Sequence, residues 1–414
     1  MTTASFARLG TSNSYDNTIA NLQSRQNKLS SLQEQMTSGK KITTPSDDPT
    51  GAAQAERALN RLARIATDQR ALETQRNAIA QAEGTLADVT ESLQRIRDLA
   101  VSAANGTYSA AERKTIAQEI NGLRERVLNL ANSLDANGQP LFAALGSALK
   151  PFAGPSVSPD YAFNGLAGTA AAGTYAIPST LDGESAFMLQ ASRDVAYTVL
   201  PSDSGSKLST GPVMRDTTAG AINGSSYSLE IIGANGNTVT YNLTEYPADG
   251  SPAIVTNNVT APWSKTDGFN VVGMAGLSLN VKGNTSVIPV NDVINISPNT
   301  SVFATVDKLV DGITNSTSTA RASQSVTQAL HNLDISLSRL ASVRGQAGDL
   351  LNRADNITAT NDKRNVEQEA NRSRAEDMDM IKGVSQFQNQ QTGFQAALQS
   401  YAQIQKLSLF NFIG

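Results

Sequence analysis

The residues most able to do chemistry lie early in the chain, in "TSGKKITTPSDDPTGAAQAERAL", Thr37 to Leu59. Asp47 and Asp48 are adjacent acids followed by Pro49. Paired carboxylates can serve as general acid and base or ligate a divalent cation. No third ligand or histidine lies nearby in sequence. The same residues have a simpler reading: Asp48 is a good helix N-cap, Pro49 suits the first helical position, and both acids sit where the helix dipole favours negative charge. Downstream, Arg57, Arg61 and Arg64 form a basic stripe, which suits either a phosphate site or a solvated face and subunit contact. The single histidine, His331, follows Leu330 and reads as the flank of an apolar seam. With one histidine and no cysteine, HExxH zinc sites, thiol chemistry and disulfides are excluded. Trp263, in "APWSKTDGFN", reads as a β-domain core residue. No phosphate-binding glycine motif stands between a strand and a helix. An enzyme housed in the middle of the chain would need converging acids or histidines. That region has no histidine, and its acids (Asp182, Glu184, Asp194, Asp203) are scattered. No catalytic, cofactor or metal site is expected, and the protein is not expected to be an enzyme.

Composition points the same way. Of 414 residues, 39% are apolar and 5% aromatic, with Ala, Ser, Thr, Asn and Gln filling the gap. That mix suits long, lightly packed helices and open β-structure. A formal net charge of −4 gives no electrostatic case for nucleic acid. No apolar run is long enough to span a bilayer, and the opening "MTTASFARLGTSNSYDN" has none of signal-peptide length. The expectation is a protein without nucleic-acid or membrane partners.

The helical seams that position these residues are periodic. Leu22, Leu29 and Met36 stand seven apart in a first, weak stripe broken by Gln26 and Gln33, and Gly39 falls where a helix stops. After the break, Ile65, Leu72, Ile79, Leu86, Leu93 and Ala100 recur every seven residues, with Ala82, Val89 and Ile96 as companions, a coiled-coil pattern. A capping box, Ser109 to Glu112, opens a third helix carrying Ile116, Ile120, Leu123, Val127, Leu130 and Leu134, and Asn137-Gly138 marks the turn after it. From Leu141 to Pro298 no helical stripe persists. "SYSLEIIGANGNTVTYNL" alternates on two arms around Asn235-Gly236 as a hairpin, and "LSLNVKGNTSVIPV" reads as a second hairpin around Gly283. Helices return at Asn299. Val326, Leu330, Leu333, Leu337, Leu340, Ala347 and Leu351 form another heptad seam, with Arg344 as its one misfit. The stretch from Asn352 to Arg374 is polar all round, either linker or a helix completed by other subunits. Val384, Phe387, Phe394, Leu398 and Tyr401 make a last stripe leading to Leu409 and Phe410.

The fold expected is a multi-domain α+β protein: an elongated antiparallel helical coiled-coil bundle formed by both chain ends, with an inserted all-β domain. Its parts are an N-terminal assembly helix (1–45), the N-terminal half of a helical rod (46–145), a β insertion in one or two lobes (146–298), the C-terminal half of the rod (299–374) and a C-terminal assembly helix (375–414). Rod-core positions are Ile65, Leu72, Ile79, Leu86, Leu93, Leu123, Val127, Leu333, Leu337 and Leu340. Assembly positions are Leu22, Leu29, Met36, Val384, Phe387, Phe394, Leu398, Tyr401, Leu409 and Phe410.

This plan resembles the flagellin superfamily. "SGKKITTPSDDPTGAAQA" looks like the segment those proteins carry after their first helix. A proline after the second acid, Pro49 here, is similar to the hook-associated protein 3 family rather than to the "DDAAG" of most flagellins. "LANSLDANGQPLF" and "LQSYAQIQKLSLF" are similar to that family's third-helix end and C-terminus. The likeness covers roughly the first 145 and last 115 residues. The opening "MTTASFARLG" departs from the "MRIS"-like start common in the family, and the β insertion carries no matching motif. The resemblance implies a structural adapter at the flagellar hook–filament junction. It implies an extracellular place in the bacterial flagellum after type III export without a cleaved signal peptide, and self-association into a ring. Implied partners are the first junction protein, flagellin and an export chaperone. A filament-forming flagellin is the alternative, and a generic coiled-coil surface protein a further one.

Overall fold

Apolar residues recurring every third and fourth position cover one face of a helix and cannot be hidden by that helix alone. Four long helices carry such faces. The computed structural model describes residues 3–155, 160–201, 208–283, 290–316 and 319–413. Its helices are α1 (Thr3–Ser38), α2 (Pro49–Ala103), α3 (Ala110–Ala131), α4 (Gly183–Phe187), α5 (Ala191–Asp194), α6 (Val302–Thr314), α7 (Thr319–Glu376) and α8 (Met380–Ile413). The chain divides into two compact units, residues 1–70 with 358–414, and residues 71–357. The division falls inside α2 and inside α7.

In the second unit, the helical core is built from the seam of α2 (Leu72, Ile79, Leu86, Leu93), from Ile120 and Val127 of α3, from Val306 and Leu309 of α6, and from Leu333 and Leu340 of α7. Leu123 and Leu337 are half-buried against it. α2 and α7 run antiparallel within this unit, because Arg76 pairs with Asp355 (3.0 Å), Glu83 with Arg344 (2.6 Å) and Arg97 with Asp334 (3.0 Å). Arg344, the misfit in the seam, thus reaches sideways to a carboxylate on the facing helix. The capping box at α3 forms: Ser109 Oγ accepts from the Glu112 amide and Glu112 Oε2 from the Ser109 amide. The helical core continues into a cluster of aromatics after α3. Phe142, Phe152, Phe187 and Phe303 pack with ring centroids 5.1–5.8 Å apart. Phe152 belongs to a small ladder of β1 (Phe152–Ala153) and β2 (Ala162–Phe163).

The remaining strands are β3 (Tyr197–Pro201), β4 (Leu208–Thr210), β5 (Met214–Arg215), β6 (Ser226–Asn235), β7 (Thr238–Tyr246), β8 (Ile254–Pro262), β9 (Phe269–Asn270), β10 (Leu277–Ser278), β11 (Asn280–Gly283) and β12 (Val293–Pro298). They form a five-stranded antiparallel sheet ordered β3-β12-β6-β7-β8, a three-stranded sheet β4-β11-β9, and the pair β10-β5. One apolar core joins them, from Val195 through Tyr227, Leu229, Ile231, Val239, Tyr241 and Leu243 to Ile296. The hairpin β6–β7 closes with Asn235 opposite Thr238, so the turn residues are Gly236 (φ 56°) and Asn237. The second expected hairpin, around Gly283, has its second arm in residues 284–289, outside the described residues. β11 pairs with β4 and β9, whereas β12 pairs with β3 and β6. The edge strand β3 is held to α7 by side-chain amides: Gln328 accepts from the Val199 amide (3.2 Å) and Asn332 donates to the Tyr197 carbonyl (2.9 Å). His331, between them, is half-buried, and burial lowers its pKa. Trp263 packs against the β core.

Candidate assembly site at the paired helix breaks

The first unit contains α1, the beginning of α2, the end of α7, and α8. Its two chain breaks are built alike. At the first, α1 stops at Ser38 and Gly39 takes a left-handed conformation (φ 72°) that a side chain would strain. Asp47 and Asp48 then do different work. Asp47 Oδ2 accepts from the amides of Thr44 (2.8 Å) and Thr43 (3.1 Å) and from the Thr43 hydroxyl (3.0 Å). These bonds, with the Thr44 amide foremost, hold its pKa below the ordinary aspartate value. Asp48 Oδ1 accepts from the amides of Thr50 (3.1 Å) and Gly51 (3.0 Å), and its carbonyl from Ala52 (2.9 Å). That is N-cap geometry, with Pro49 at the first helical position. Gly51 makes room for the loop itself, since a Cβ there would stand 2.7 Å from Cδ1 of the buried Ile42 and 2.5 Å from Asp48 Oδ2. The space at Gly51 is therefore filled from within the same chain.

At the second break, Asp379 Oδ1 accepts from the amides of Ile381 (3.0 Å) and Lys382 (3.2 Å) and starts α8. Two backbone bonds tie the breaks together: Lys41 N–H to the Glu376 carbonyl (2.8 Å) and Met378 N–H to the Gly39 carbonyl (2.9 Å). Lys40 forms an ion pair with Glu376, and Lys41 Nζ donates to the Arg374 carbonyl (2.8 Å) across 333 residues of sequence. Asp379, Lys40, Lys41 and Glu376 were not singled out in the sequence. Asp379 ahead of Met380 is a readable cap signal, whereas pairing between such distant residues leaves no local trace.

From this tie α1 and α8 run antiparallel, with Arg25 against Gly393. They form a thin pair. Leu22, Leu29, Met36, Phe387, Phe394 and Tyr401 are half-buried, while Val384 (40%) and Leu398 (44%) are exposed. Ile381 is 86% exposed. Among the described side chains of α1 and α8, only Gly383 is buried. Leu409 and Phe410 lie on helical backbone, but their side chains are outside the described residues. Ile65, on the part of α2 in this unit, is buried. Among the described residues no three His, Asp or Glu side chains converge in a way that could hold a metal ion. No described helix is long and apolar enough to cross a membrane.

The cap makes a measurable prediction. Asp48→Ala is expected to cost about 0.5–2 kcal/mol of helix stability, while Asp48→Asn and Asp48→Ser retain most of it, because both cap well. Thermal melting of the three variants checks this. Equal loss in Asn, Ser and Ala variants would mean that the charge itself is needed.

Comparison with known proteins fits this architecture. Residues 10–146 match the bacterial flagellin N-terminal helical region. Flagellar hook-associated protein 3 of Salmonella typhimurium is 33% identical over 153 residues, covering 35% of this chain and 46% of that protein. The chain thus spans about half the length of the curated relative it matches. Among solved structures, flagellar hook-associated protein 3 of Legionella pneumophila superposes with a TM-score of 0.60 at 23% identity, over 76% of this chain and 97% of that one. FlgL of Xanthomonas campestris gives 0.58 at 23% identity, over 77% and 99%. At that identity the superpositions speak for the fold. Residues 10–146 are thus similar to the bacterial flagellin N-terminal helical region, and the chain shares the fold of solved hook-associated protein 3 structures.

Proposed function

We propose that this protein is a structural adapter at the flagellar hook–filament junction. It associates with itself, as a ring, through α1 and α8. The observation that carries the reading is the thin terminal pair, in which two helices of 36 and 34 residues bury no described side chain larger than glycine. Ordering each residue costs about 1–2 kcal/mol of backbone entropy, and half-covered side chains offset little of it. Neighbouring subunits supply the missing cover. The break loops set the start of each helix and tie α1 to α8, while Ile65 and the seam residues of the second unit keep the monomer folded. The first junction protein and flagellin are the partners on either side, with an export chaperone before assembly and an extracellular place after it. The likeness of this chain to hook-associated protein 3 supports that placement.

The test has two parts. Removing residues 380–414 should leave a folded monomer that no longer associates in sedimentation experiments. Deleting the gene should leave hooks without filaments, with flagellin released into the medium. Filaments of normal length in the deletion strain would overturn the adapter reading. A filament-forming flagellin is the alternative that the flagellin N-terminal region keeps open. It predicts long polymers when the purified protein is added to filament seeds, whereas an adapter stops short.

A further inference from the structure

In the first unit, a groove of about 320 Å³ lies between the start of α2 and the end of α7. Arg57, Arg61 and Arg374 line it with Gln368 and Asn371, over a floor that includes the buried Ala58. No acid is among its lining residues. Arg61 reaches Gln368 (3.4 Å), and Arg374 reaches Asn371 (2.9 Å) and the Ala370 carbonyl (3.2 Å). None of the three arginines forms an ion pair among the described residues. Arg57 and Arg61 stand one helical turn apart, an arrangement of like charges that opposes folding slightly. The fold therefore concentrates positive charge in a cleft and leaves it uncompensated. Guanidinium forks beside side-chain amides are suited to carboxylates, which they bind through paired N–H donors.

The second unit carries the complementary surface. Asp88, Glu91 and Asp98 are exposed on α2 and form no ion pair among the described residues. Arg95, between the last two, is engaged by Glu119 (2.8 Å). Spacing matches as well as sign. Arg57 in the groove and the exposed Arg64, which lies beyond its lining on the same helix, are seven residues apart, as are Glu91 and Asp98. At 1.5 Å per residue both pairs are about 10 Å long, so two helices can meet at both points at once.

We propose that the arginine groove receives the Glu91–Asp98 stripe of a second copy of this chain. The inference rests on the self-association reading above and names a contact outside the terminal helices. It assigns the basic stripe a direct bonding role between subunits, where charge complementarity fixes the stagger of neighbours and rejects other alignments.

Charge reversal tests it on the full-length protein. Arg57→Glu with Arg64→Glu should raise the concentration needed for association about tenfold or more, and so should Glu91→Arg with Asp98→Arg. The protein carrying all four changes should recover association, and all three should melt close to the unaltered protein. Because the chain has no cysteine, copies carrying Arg61→Cys mixed with copies carrying Glu91→Cys give a second readout: a disulfide-linked mixed dimer under oxidation. Double variants that associate normally, or a fourfold variant no better than the doubles, would overturn the proposal while leaving self-association intact. Loss in the arginine variant alone would point to an anion from elsewhere and also overturn it. If the unaltered protein stays monomeric at every concentration, the self-association reading falls and this one with it.

Discussion

Leu86→Asp is expected to abolish the cooperative thermal transition of the second unit. Leu86 is fully buried in the helical core, in the middle of the α2 seam with Ala82, Val89 and Leu93 around it in sequence. Truncating a buried leucine costs about 2–5 kcal/mol by itself. An aspartate there puts a carboxylate into an apolar core, a further cost of several kcal/mol. The total is comparable with the roughly 5–15 kcal/mol that holds a typical domain folded. Leu86→Met, which keeps volume and polarity, should cost less than about 1.5 kcal/mol. Circular dichroism melting of both variants decides the matter. A Leu86→Asp protein that melts within a few degrees of the unaltered one would mean the seam is not a core.

Phe394→Asp is expected to do the reverse, sparing the monomer and removing association. Phe394 is half-buried on α8, next to Gly393, where α8 comes close to Arg25 of α1. A half-exposed site leaves the new carboxylate in contact with water, so the change in melting should stay within about 1 kcal/mol. The same carboxylate placed between subunits would be desolvated without a partner, and the contact would be lost. Sedimentation velocity and melting on the same sample separate the two effects. An equal fall in both for Phe394→Asp and Leu86→Asp would remove any distinction between fold core and association surface.

What could be read from the sequence was whatever is encoded within a few residues. The seven-residue seam of α2 is visible because buried positions repeat at helical spacing, and Leu72, Ile79, Leu86 and Leu93 are all buried. Ser109 and Glu112 form a capping box with each other. Gly236 marks its turn because the backbone there needs a positive φ. Other features depended on residues distant in sequence. β11 takes β4 and β9 as partners and β12 takes β3 and β6, pairings that no local pattern marks. Phe142, Phe152 and Phe187 lie in a stretch without periodicity, yet they complete the helical core beside Phe303. At the candidate site, the aspartate pair was visible but its division of labour was not. Asp47 turns back to Thr43 and Thr44 while Asp48 faces forward into α2.

The tie between Gly39–Lys41 and Glu376–Met378 has a consequence for how such a protein can change over generations. It sets a common zero for two helices that lie far apart in the sequence. Arg25 lies fourteen residues before Gly39 and Gly393 fifteen after Met378, and the two meet. Distance from the tie is thus the coordinate that matters along both helices. Inserting one residue into α1 between Arg25 and Gly39 turns everything before it by about 100° and shifts it by about 1.5 Å against α8. A codon gained there is tolerated only alongside a matching gain between Met378 and Gly393, so the two segments are bound to change length together.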